Sequence, residues 1–385
     1  MGEKVRNNGP RVVRILLLGY VGCNNLGDDL MMLDTIDFLR KNIPECEITL
    51  GVRYQGPVRM PEWGENVKIL NLHRFRVGKI KETLYRYIFV KRFDLTVVVG
   101  GTVFGDIGLN GIYPYLSSNI VTKKAYGYLG IGIDYLENPK KLEQATKLLK
   151  NAAFVSLRDK SSFDEAERIA KRSDFHLTED IVYDVLKKRS CEEKPKKPRL
   201  LVSFRYLTQY ISCQNEAKLK ESVLKLILDN IEKYREIAFV PIDEKLDFEA
   251  NFCMYEELKK ALTNNDIIDT EIIFKAHMSP EEKISYIEES DTYITGRLHG
   301  MMIGELSGVN TVALSYSKKT KVFLDSIKRT CDMADIFIAD EFENSLRSAY
   351  NAGVSEHEVM SEILSKKSAD AVKNFEILKS VCYPE

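Results

Sequence analysis

The sequence predicts an α/β protein built from two doubly wound halves, and two observations support this prediction. Short β-branched or aliphatic runs alternate with amphipathic helical stretches along most of the chain, a pattern typical of parallel strands joined by crossover helices. The alternation breaks in the charged stretch "LKKRSCEEKPKKPRL" at residues 186–200 and then starts again. A chain of 385 residues is also longer than one typical core and suits two domains.

The first half alternates between strand-sized apolar runs and helical stretches. The predicted strands are Val12–Leu18, Glu47–Val52, Leu95–Val99, Lys124–Leu129 and Ala153–Leu157. The predicted helices are Asp29–Lys41, Lys79–Phe89, Lys141–Asn151 and Ser162–Lys171.

The second half repeats this organisation. The predicted strands are Leu200–Phe204, Glu236–Val240, Glu271–Phe274, Thr292–Thr295 and Thr311–Leu314. The predicted helices are Glu216–Tyr234, Asp247–Ala261, Pro280–Glu289, Gly300–Leu306 and Thr320–Lys328. We expect an N-terminal domain at residues 11–190, a C-terminal domain at residues 199–340 and a helical tail at residues 341–385 that packs back across the cleft. The alternative is that the charged stretch is only a surface loop within one domain.

Composition limits the classes of function. The chain is 44% hydrophobic and 29% charged, as folded proteins are, and its formal net charge of −1 provides no global basic field for nucleic acid. Its seven cysteines form no C-x-x-C pair, which fits a reducing compartment. No signal peptide and no bilayer-spanning stretch is apparent, so we expect a cytoplasmic location, with peripheral membrane contact left open.

The first loop with chemical potential is "LLLGYVGCNNLGDDLMM" at residues 16–32, between a strand and a helix. It matches neither a dinucleotide-binding nor a Walker motif. Asn25 and Asp28 could contact sugar hydroxyls, or Asp28 could simply cap the helix. The second such loop, "VVVGGTVFGDIG" at residues 97–108, contains Gly101 and Asp106. Its paired glycines permit close approach by a ligand, or only close packing.

The sharpest feature is "TGRLHG" at residues 295–300, where a strand gives way to a helix. A pair of cationic side chains such as Arg297 and His299 is costly to bury unless an anion or another polar partner receives it. The helix start attracts anions, Arg297 adds charge, and His299 can move a proton near neutral pH. The alternative is a histidine that only caps the helix. Arg205, at the end of a strand in the second half, could bind a phosphate or carboxylate, or form a surface ion pair.

Two further stretches carry charge beside predicted helices. "ALSYSKKTKVFLDSI" contains Lys319 and Lys321, which could reach across a cleft or lie on a solvated helix face. In "VSLRDKSS", we interpret the adjacent Arg158 and Asp159 as a structural pair that ties a loop to its neighbour.

In order along the chain, "GYVGCNNLGDD", "VVVGGTVFGD", "SLRDKSS", "TGRLHG" and "SYSKK" resemble the polysaccharide pyruvyl transferase family. The resemblance runs from about Arg11 to Ile327, with "GRLHG" its strongest part. It implies two Rossmann-like domains that face each other across a glycosyltransferase-B-like cleft. The chain departs from the family pattern at two places. Its first loop has Gly-Asp-Asp in place of Gly-Asp-Glu, and it has Leu129 and Ile133 where many members have glutamine and proline.

The resemblance also implies an activity, the transfer of pyruvate from phosphoenolpyruvate to a sugar diol, which forms a cyclic ketal. The sugar would belong to a polysaccharide of the cell envelope or to its nucleotide- or lipid-linked precursor. Phosphoenolpyruvate is then a co-substrate, and neither a cofactor nor a metal is expected. The implied donor-binding residues are Arg205, Arg297, Gly300, Lys319 and Lys321. His299 is the implied general acid, which protonates the methylene carbon of the donor. The expected acceptor-binding residues are Asn25, Asp28, Gly101 and Asp106.

Other functions fit the same scaffold, because function resides in the site rather than in the fold. One alternative is a glycosyltransferase or a sugar-nucleotide epimerase. Another is a non-catalytic protein that binds a sugar or a nucleotide.

Overall fold

The computed structural model confirms the predicted α/β architecture, with two parallel sheets covered by helices. It describes residues 12–43, 45–52, 62–72, 79–105, 112–189, 194–262, 269–329, 334–335 and 341–383.

The N-terminal sheet has eight strands, and every strand pair in it is parallel. Its strands are Val13–Leu18 (β1), Cys46–Val52 (β2), Val67–Asn71 (β3), Leu95–Val99 (β4), Thr102–Phe104 (β5), Ala125–Ile133 (β6), Phe154–Leu157 (β7) and His176–Leu177 (β8). They lie in the order β3-β2-β1-β4-β6-β7-β8, and β5 pairs with β6. The helices of this half are Leu26–Asn42 (α1), Lys79–Val90 (α2), Tyr113–Thr122 (α3), Pro139–Asn151 (α4), Lys160–Ala170 (α5) and Val182–Arg189 (α6).

The C-terminal sheet has six parallel strands in the order β11-β10-β9-β12-β13-β14. The strands are Lys197–Ser203 (β9), Glu236–Phe239 (β10), Glu271–Phe274 (β11), Ser290–Thr295 (β12), Asn310–Ser315 (β13) and Ala334–Asp335 (β14). The helices are Cys213–Asp229 (α7), Glu244–Leu262 (α8), Pro280–Glu288 (α9), Leu298–Leu306 (α10), Lys318–Ser326 (α11), Phe342–Asn351 (α12) and His357–Cys382 (α13).

Each sheet reverses its strand order at one place, between β1 and β4 in the first sheet and between β9 and β12 in the second. Loops that leave neighbouring strands there run to opposite faces of the sheet and open a crevice at the carboxyl ends of the strands. The loops after these four strands, together with the first turns of the helices that follow them, contain most of the predicted site residues. The fold therefore brings together residues that are far apart in sequence.

Each predicted strand is found in the structure, and its ends lie within four residues of the predicted ends. Two other boundaries differ more, namely the end of α7 and the extent of the charged linker. Helix α7 ends at Asp229 rather than Tyr234, because Asn230 leaves helical geometry and a 3-10 turn follows. The charged linker is shorter than predicted, since α6 extends to Arg189 and β9 begins at Lys197. Pro198 is tolerated in β9 because the pairing with β12 shifts register there, from Ser290 opposite Lys197 to Thr292 opposite Leu200, and proline is accepted at such irregularities.

The tail helix α13 returns to the N-terminal half, where it contacts α6, β6 and β7. Phe375 of α13 stacks on Phe38 of α1 with a ring-centroid distance of 4.7 Å. No helix in the described parts of the chain is both long and apolar enough to cross a bilayer.

Candidate active site between the two halves

His299 lies at the meeting point of the two halves, in the first turn of α10. Its Nε2 is 3.3 Å from Asp180 Oδ2 of the N-terminal half. An ionised carboxylate can only accept, so the imidazole N–H donates this hydrogen bond. The other edge of the ring packs against Gly27 of α1, where any Cβ atom would overlap the imidazole. The ring is therefore held between two elements of the opposite half.

Asp180 is a buried carboxylate that remains ionised. Burial alone would raise its pKa, but His299 and Arg158 hold the pKa of this carboxyl well below its usual range. The Arg158 guanidinium donates to Asp180 Oδ2 at 2.9 Å, and the backbone N–H of Val182 donates to Oδ1 at 3.1 Å. Arg158 does tie a loop to its neighbour, as predicted, but its main partner is Asp180 rather than Asp159.

Arg297 is paired with carboxylates of the protein itself. Its guanidinium donates to both oxygens of fully buried Asp247, from Nε at 2.8 Å and from Nη2, and Nη2 also lies 3.7 Å from Asp243 Oδ2. Burial alone would lower the pKa of Arg297, but these two carboxylates raise it above its ordinary value. Asp247 of α8 and Asp243 of the loop before it therefore provide the anionic partner that the sequence analysis expected beside Arg297.

Asn25 and Asp28 connect the first loop to the same network. Asn25 is the N-cap of α1 and accepts from the Asp28 N–H, so the capping role that was open for Asp28 belongs to Asn25. Asn25 Nδ2 donates to Asp243 Oδ2 at 3.0 Å. One Asp28 oxygen is buried and has no hydrogen-bond partner among the residues that the structure describes. Burial raises the pKa of Asp28 to about 6, an effect that His299 opposes and Asp243 reinforces.

Gly101 permits the close approach of Asp28. Its backbone has φ +68°, and a Cβ atom at this position would lie 2.8 Å from Asp28 Oδ1. A side chain here would be strained and would also collide with the carboxylate. The predicted close approach at Gly101 is therefore made by another side chain of the protein. Asp106, in the same loop, lies outside the described residues.

Arg205 differs from Arg297, because no described carboxylate lies within ion-pair distance of its guanidinium. Its Nη1 donates to the Tyr316 hydroxyl at 2.8 Å, and the guanidinium carbon lies 4.8 Å from the centroid of the Tyr316 ring. Its Nε is buried, and no group in the described part of the chain accepts a hydrogen bond from it. Arg205 is therefore a partly buried cation whose charge remains available to an anion.

The remaining predicted donor-binding residues occupy different positions. Lys319 crosses between the halves and donates to Thr102 Oγ1 at 2.6 Å and Asp134 Oδ2 at 3.1 Å. Burial and the nearby Arg158 lower the pKa of Lys319. Lys321 lies on the exposed side of α11. Gly300 is buried against the Tyr293 hydroxyl, which leaves no room for a side chain.

A cavity of about 560 Å³ lies beside the His299–Asp180 pair, between α5 and β6 of one half and α10 and α11 of the other. Asp180, Arg158 and Lys319 are part of its wall, and Leu298 precedes His299. Tyr183 and Phe323 contribute aromatic surface. The volume is within the range of small-molecule sites.

Sequence reasoning missed three carboxylates that organise the site: Asp180, Asp243 and Asp247. Asp243 follows β10, so the rule that placed Arg205 at a strand end could have identified it. Asp180 follows β8, which has only two residues and therefore no detectable periodicity. Asp247 lies in the first turn of α8, where an acid is common for reasons unrelated to function.

Comparison with known proteins adds the following. The model of a family described as polysaccharide pyruvyl transferase matches residues 25–318. No curated protein shows significant sequence similarity to the chain. Solved structures with the same fold include the UDP-GlcNAc 2-epimerase of Methanocaldococcus jannaschii, with a TM-score of 0.62, 10% identity and coverage of 95% of this chain and 99% of that one.

Two further structures extend the comparison. The UDP-GlcNAc 2-epimerase of Neisseria meningitidis bound to UDP-GlcNAc has a TM-score of 0.54 and 10% identity, and covers 92% of this chain and 99% of its own. An alpha,alpha-trehalose-phosphate synthase (UDP-forming) of Burkholderia vietnamiensis has a TM-score of 0.55 and 9% identity, and covers 97% and 99%. At these identities the likeness shows a glycosyltransferase-B-like fold and nothing about substrate.

Proposed function

The chain belongs to the polysaccharide pyruvyl transferase family, and from this premise we propose that it transfers pyruvate from phosphoenolpyruvate to a sugar diol, with His299 as the general acid. The observation that carries the proposal is the position of His299, which is hydrogen-bonded to the ionised Asp180 of the opposite half, a carboxylate that also accepts from Arg158. This hydrogen bond fixes the orientation of the imidazole, and a general acid must be held within reach of the group that it protonates.

The donor is proposed to bind on the C-terminal side, at the start of α10. Phosphoenolpyruvate carries a phosphate and a carboxylate. Arg205 offers a guanidinium that has no carboxylate partner among the described residues, and the first-turn amides of α10 lack intrahelical partners, as at any helix start. Arg297, already bound to Asp247, is proposed to fix the loop and to add charge through its remaining N–H groups. Lys319 and Lys321 are proposed as further cations of the donor side.

The proposed reaction balances without an added oxidant or metal. The imidazolium of His299 gives a proton to the methylene carbon of phosphoenolpyruvate, and the adjacent carbon becomes electrophilic. One sugar hydroxyl forms a bond to that carbon, its proton passes to a base, and the carbon–oxygen bond to phosphate breaks. The second hydroxyl then forms a bond to the same carbon and closes the ketal, and its proton is carried away by the released phosphate, which leaves as hydrogen phosphate. The proton taken up by the base returns to His299 through solvent. Asp28 is the proposed base, since a carboxyl with a pKa of about 6 accepts a proton better than an ordinary aspartate does.

The acceptor sugar is proposed to occupy the cavity beside Asp180 and to reach the first loop at Asn25, Asp28 and Gly101. Several cations of the cavity wall are paired with acids: Arg158 with Asp180, Lys319 with Asp134, and Lys367 with Glu179. A phosphate would have to compete with these carboxylates, whereas an uncharged polyol can use their remaining lone pairs. Tyr183 and Phe323 provide apolar surface for the C–H faces of a sugar ring.

Calorimetric titration with phosphoenolpyruvate tests the donor site. Wild type should bind it saturably, Arg205→Gln should bind it at least about tenfold more weakly, and the exposed Lys218→Gln on α7 should bind like wild type. Arg205 is the better residue to replace, because Arg297→Ala would also break a buried ion pair. Equal binding by Arg205→Gln would place the donor elsewhere. Failure of wild type to bind, with and without a mixture of sugars, would contradict phosphoenolpyruvate as donor.

A second variant separates binding from chemistry. His299→Gln should retain the affinity for phosphoenolpyruvate but lose phosphate release in the presence of an acceptor, because glutamine cannot deliver the proton. Full turnover by a folded His299→Gln would refute the proposed role. Conversion of a nucleotide sugar without phosphoenolpyruvate would favour the epimerase or glycosyltransferase alternative instead.

A further inference from the structure

Helix α2 presents an apolar stripe to solvent. Ile80, Leu84 and Ile88 are 86%, 58% and 53% exposed and are spaced four residues apart. This spacing places them on one face over about 12 Å of helix. The adjoining face, about 100° around the helix, holds α2 to the core, where Phe89 is buried and Tyr85 stacks on it at a ring-centroid distance of 5.8 Å. A surface helix normally places polar residues where this one has aliphatic ones.

The stripe lies in the middle of a basic stretch. Residues 79–92 contain three lysines, two arginines and a single glutamate, in a chain whose formal net charge is −1. Glu82 pairs with Arg86 at 2.7 Å, so it offsets a cation within the helix. Lys81, Lys91 and Arg92 are exposed. The positive charge is therefore a local property of this part of the surface, because the molecule as a whole carries a formal net charge of −1.

We propose that this face of α2 docks onto an anionic lipid surface, with Ile80, Leu84 and Ile88 entering the boundary between headgroups and acyl chains. A lipid surface offers apolar depth and negative charge together, which is what an aliphatic stripe flanked by cations complements. A second copy of this face would oppose cations with cations. Nucleic acid would reward the cations but not three exposed aliphatic side chains. The inference is independent of the proposed transferase activity.

Vesicle sedimentation with the full chain tests the proposal. Wild type should bind vesicles of equal parts phosphatidylglycerol and phosphatidylcholine at 50 mM salt, and should bind pure phosphatidylcholine vesicles, or the anionic ones at 0.5 M salt, at least about tenfold more weakly. The triple variant Ile80→Ser/Leu84→Ser/Ile88→Ser should lose at least about tenfold in partitioning. Lys81→Glu/Lys91→Glu/Arg92→Glu should lose binding to the anionic vesicles by a similar factor.

The matched control is Leu228→Ser/Leu246→Ser/Val354→Ser, which replaces exposed aliphatic residues elsewhere and should bind like wild type. Circular dichroism of every variant checks that it is folded. Any of three results would overturn the proposal: no binding of wild type to the anionic vesicles, equal binding to both vesicle types, or unchanged binding of the apolar triple variant. Sedimentation velocity covers the alternative occupant, since a dimer of wild type that the triple variant lacks would assign the face to a second copy.

Discussion

His299 owes its position to a residue with no side chain. Gly27 lies in the first turn of α1, and the imidazole occupies the space that a Cβ atom at this position would take. A sequence cannot reveal that the partner is a histidine 272 positions away, because that contact depends on how the two halves meet.

Gly27→Ala should therefore abolish pyruvyl transfer without unfolding the protein. The added methyl group must displace the flexible imidazole, while alanine is favoured over glycine inside a helix by about 1 kcal/mol. Phosphate release from phosphoenolpyruvate and the urea midpoint provide the two readouts. Wild-type turnover in this variant would show that the observed ring position is not needed for the reaction.

Asp28 should make stability depend on pH in a direction that is unusual for an aspartate. Its pKa is raised to about 6 in the folded chain, so the folded state holds a proton that the unfolded state has already released. The resulting destabilisation is absent below about pH 4 and fully present above about pH 6. The shift corresponds to about 1–3 kcal/mol, which exceeds the helix-dipole gain of about 0.5 kcal/mol for an acid at this position.

Asp28→Asn removes this penalty. Relative to wild type, the variant should gain about 1–3 kcal/mol in the free energy of unfolding between pH 4 and pH 7. Urea unfolding of both proteins at the two pH values measures the difference. A stability difference that does not change with pH would mean that Asp28 ionises as an ordinary surface carboxyl does.

At the scale of elements, the sequence predicted the central strands of each sheet and missed several helices and short strands beside them. Central strands are continuous apolar runs, such as fully buried β4, and are recognisable without their neighbours. Helix α3 was missed because "YPYLSSNIVT" combines a proline with β-branched and serine residues of low helix propensity. Strand β8 has only two residues. The residues of the site are supplied by both kinds of element, which is why His299 could be predicted and Asp180 could not.

The junction of β12, α10 and α8 is held by the Arg297–Asp247 pair, so Arg297→Ala should unfold more easily than wild type. The change leaves a fully buried carboxylate without its main partner and should cost about 3–5 kcal/mol. The double variant Arg297→Ala/Asp247→Ala should recover part of this loss, because no buried charge is then unpaired. Urea unfolding of the three proteins measures both effects. A single variant as stable as wild type would mean that water reaches Asp247.

At the scale of the molecule, the tail helix α13 connects the two halves. Helix α13 follows the last element of the C-terminal half and packs on the N-terminal half, beside the loop that carries Asp180. The sequence of this tail predicts a helix, and we expected it to pack back across the cleft. Composition and periodicity could not indicate the contact that holds it, because that contact depends on a buried asparagine whose partners in the N-terminal half come from two separate parts of the chain.

Asn374 of α13 makes that contact. Its Oδ1 accepts from the hydroxyls of Ser156 at 2.6 Å and Thr178 at 2.9 Å, and its Nδ2 donates to the Glu179 carbonyl at 2.9 Å. Asn374→Ala removes these three buried hydrogen bonds, although the hydroxyls of Ser156 and Thr178 keep the Tyr128 and Leu157 carbonyls as acceptors, and should lower the free energy of unfolding by about 2–4 kcal/mol. Asn151→Ala, which removes a hydrogen bond on the exposed end of α4, is the matched control and should cost well under half as much.

The same variant should also reduce turnover, because Glu179 adjoins Asp180 and a shift of this loop moves the carboxylate away from His299. We expect at least a tenfold fall in kcat under conditions where the variant is still folded, since small displacements of a catalytic group are costly. Phosphate release below the unfolding transition measures it, beside Asn151→Ala. If Asn374→Ala lost stability but kept wild-type kcat, the tail would be a structural closure with no influence on the site. Parallel losses would make the last helix of the chain part of the framework that positions its catalytic pair.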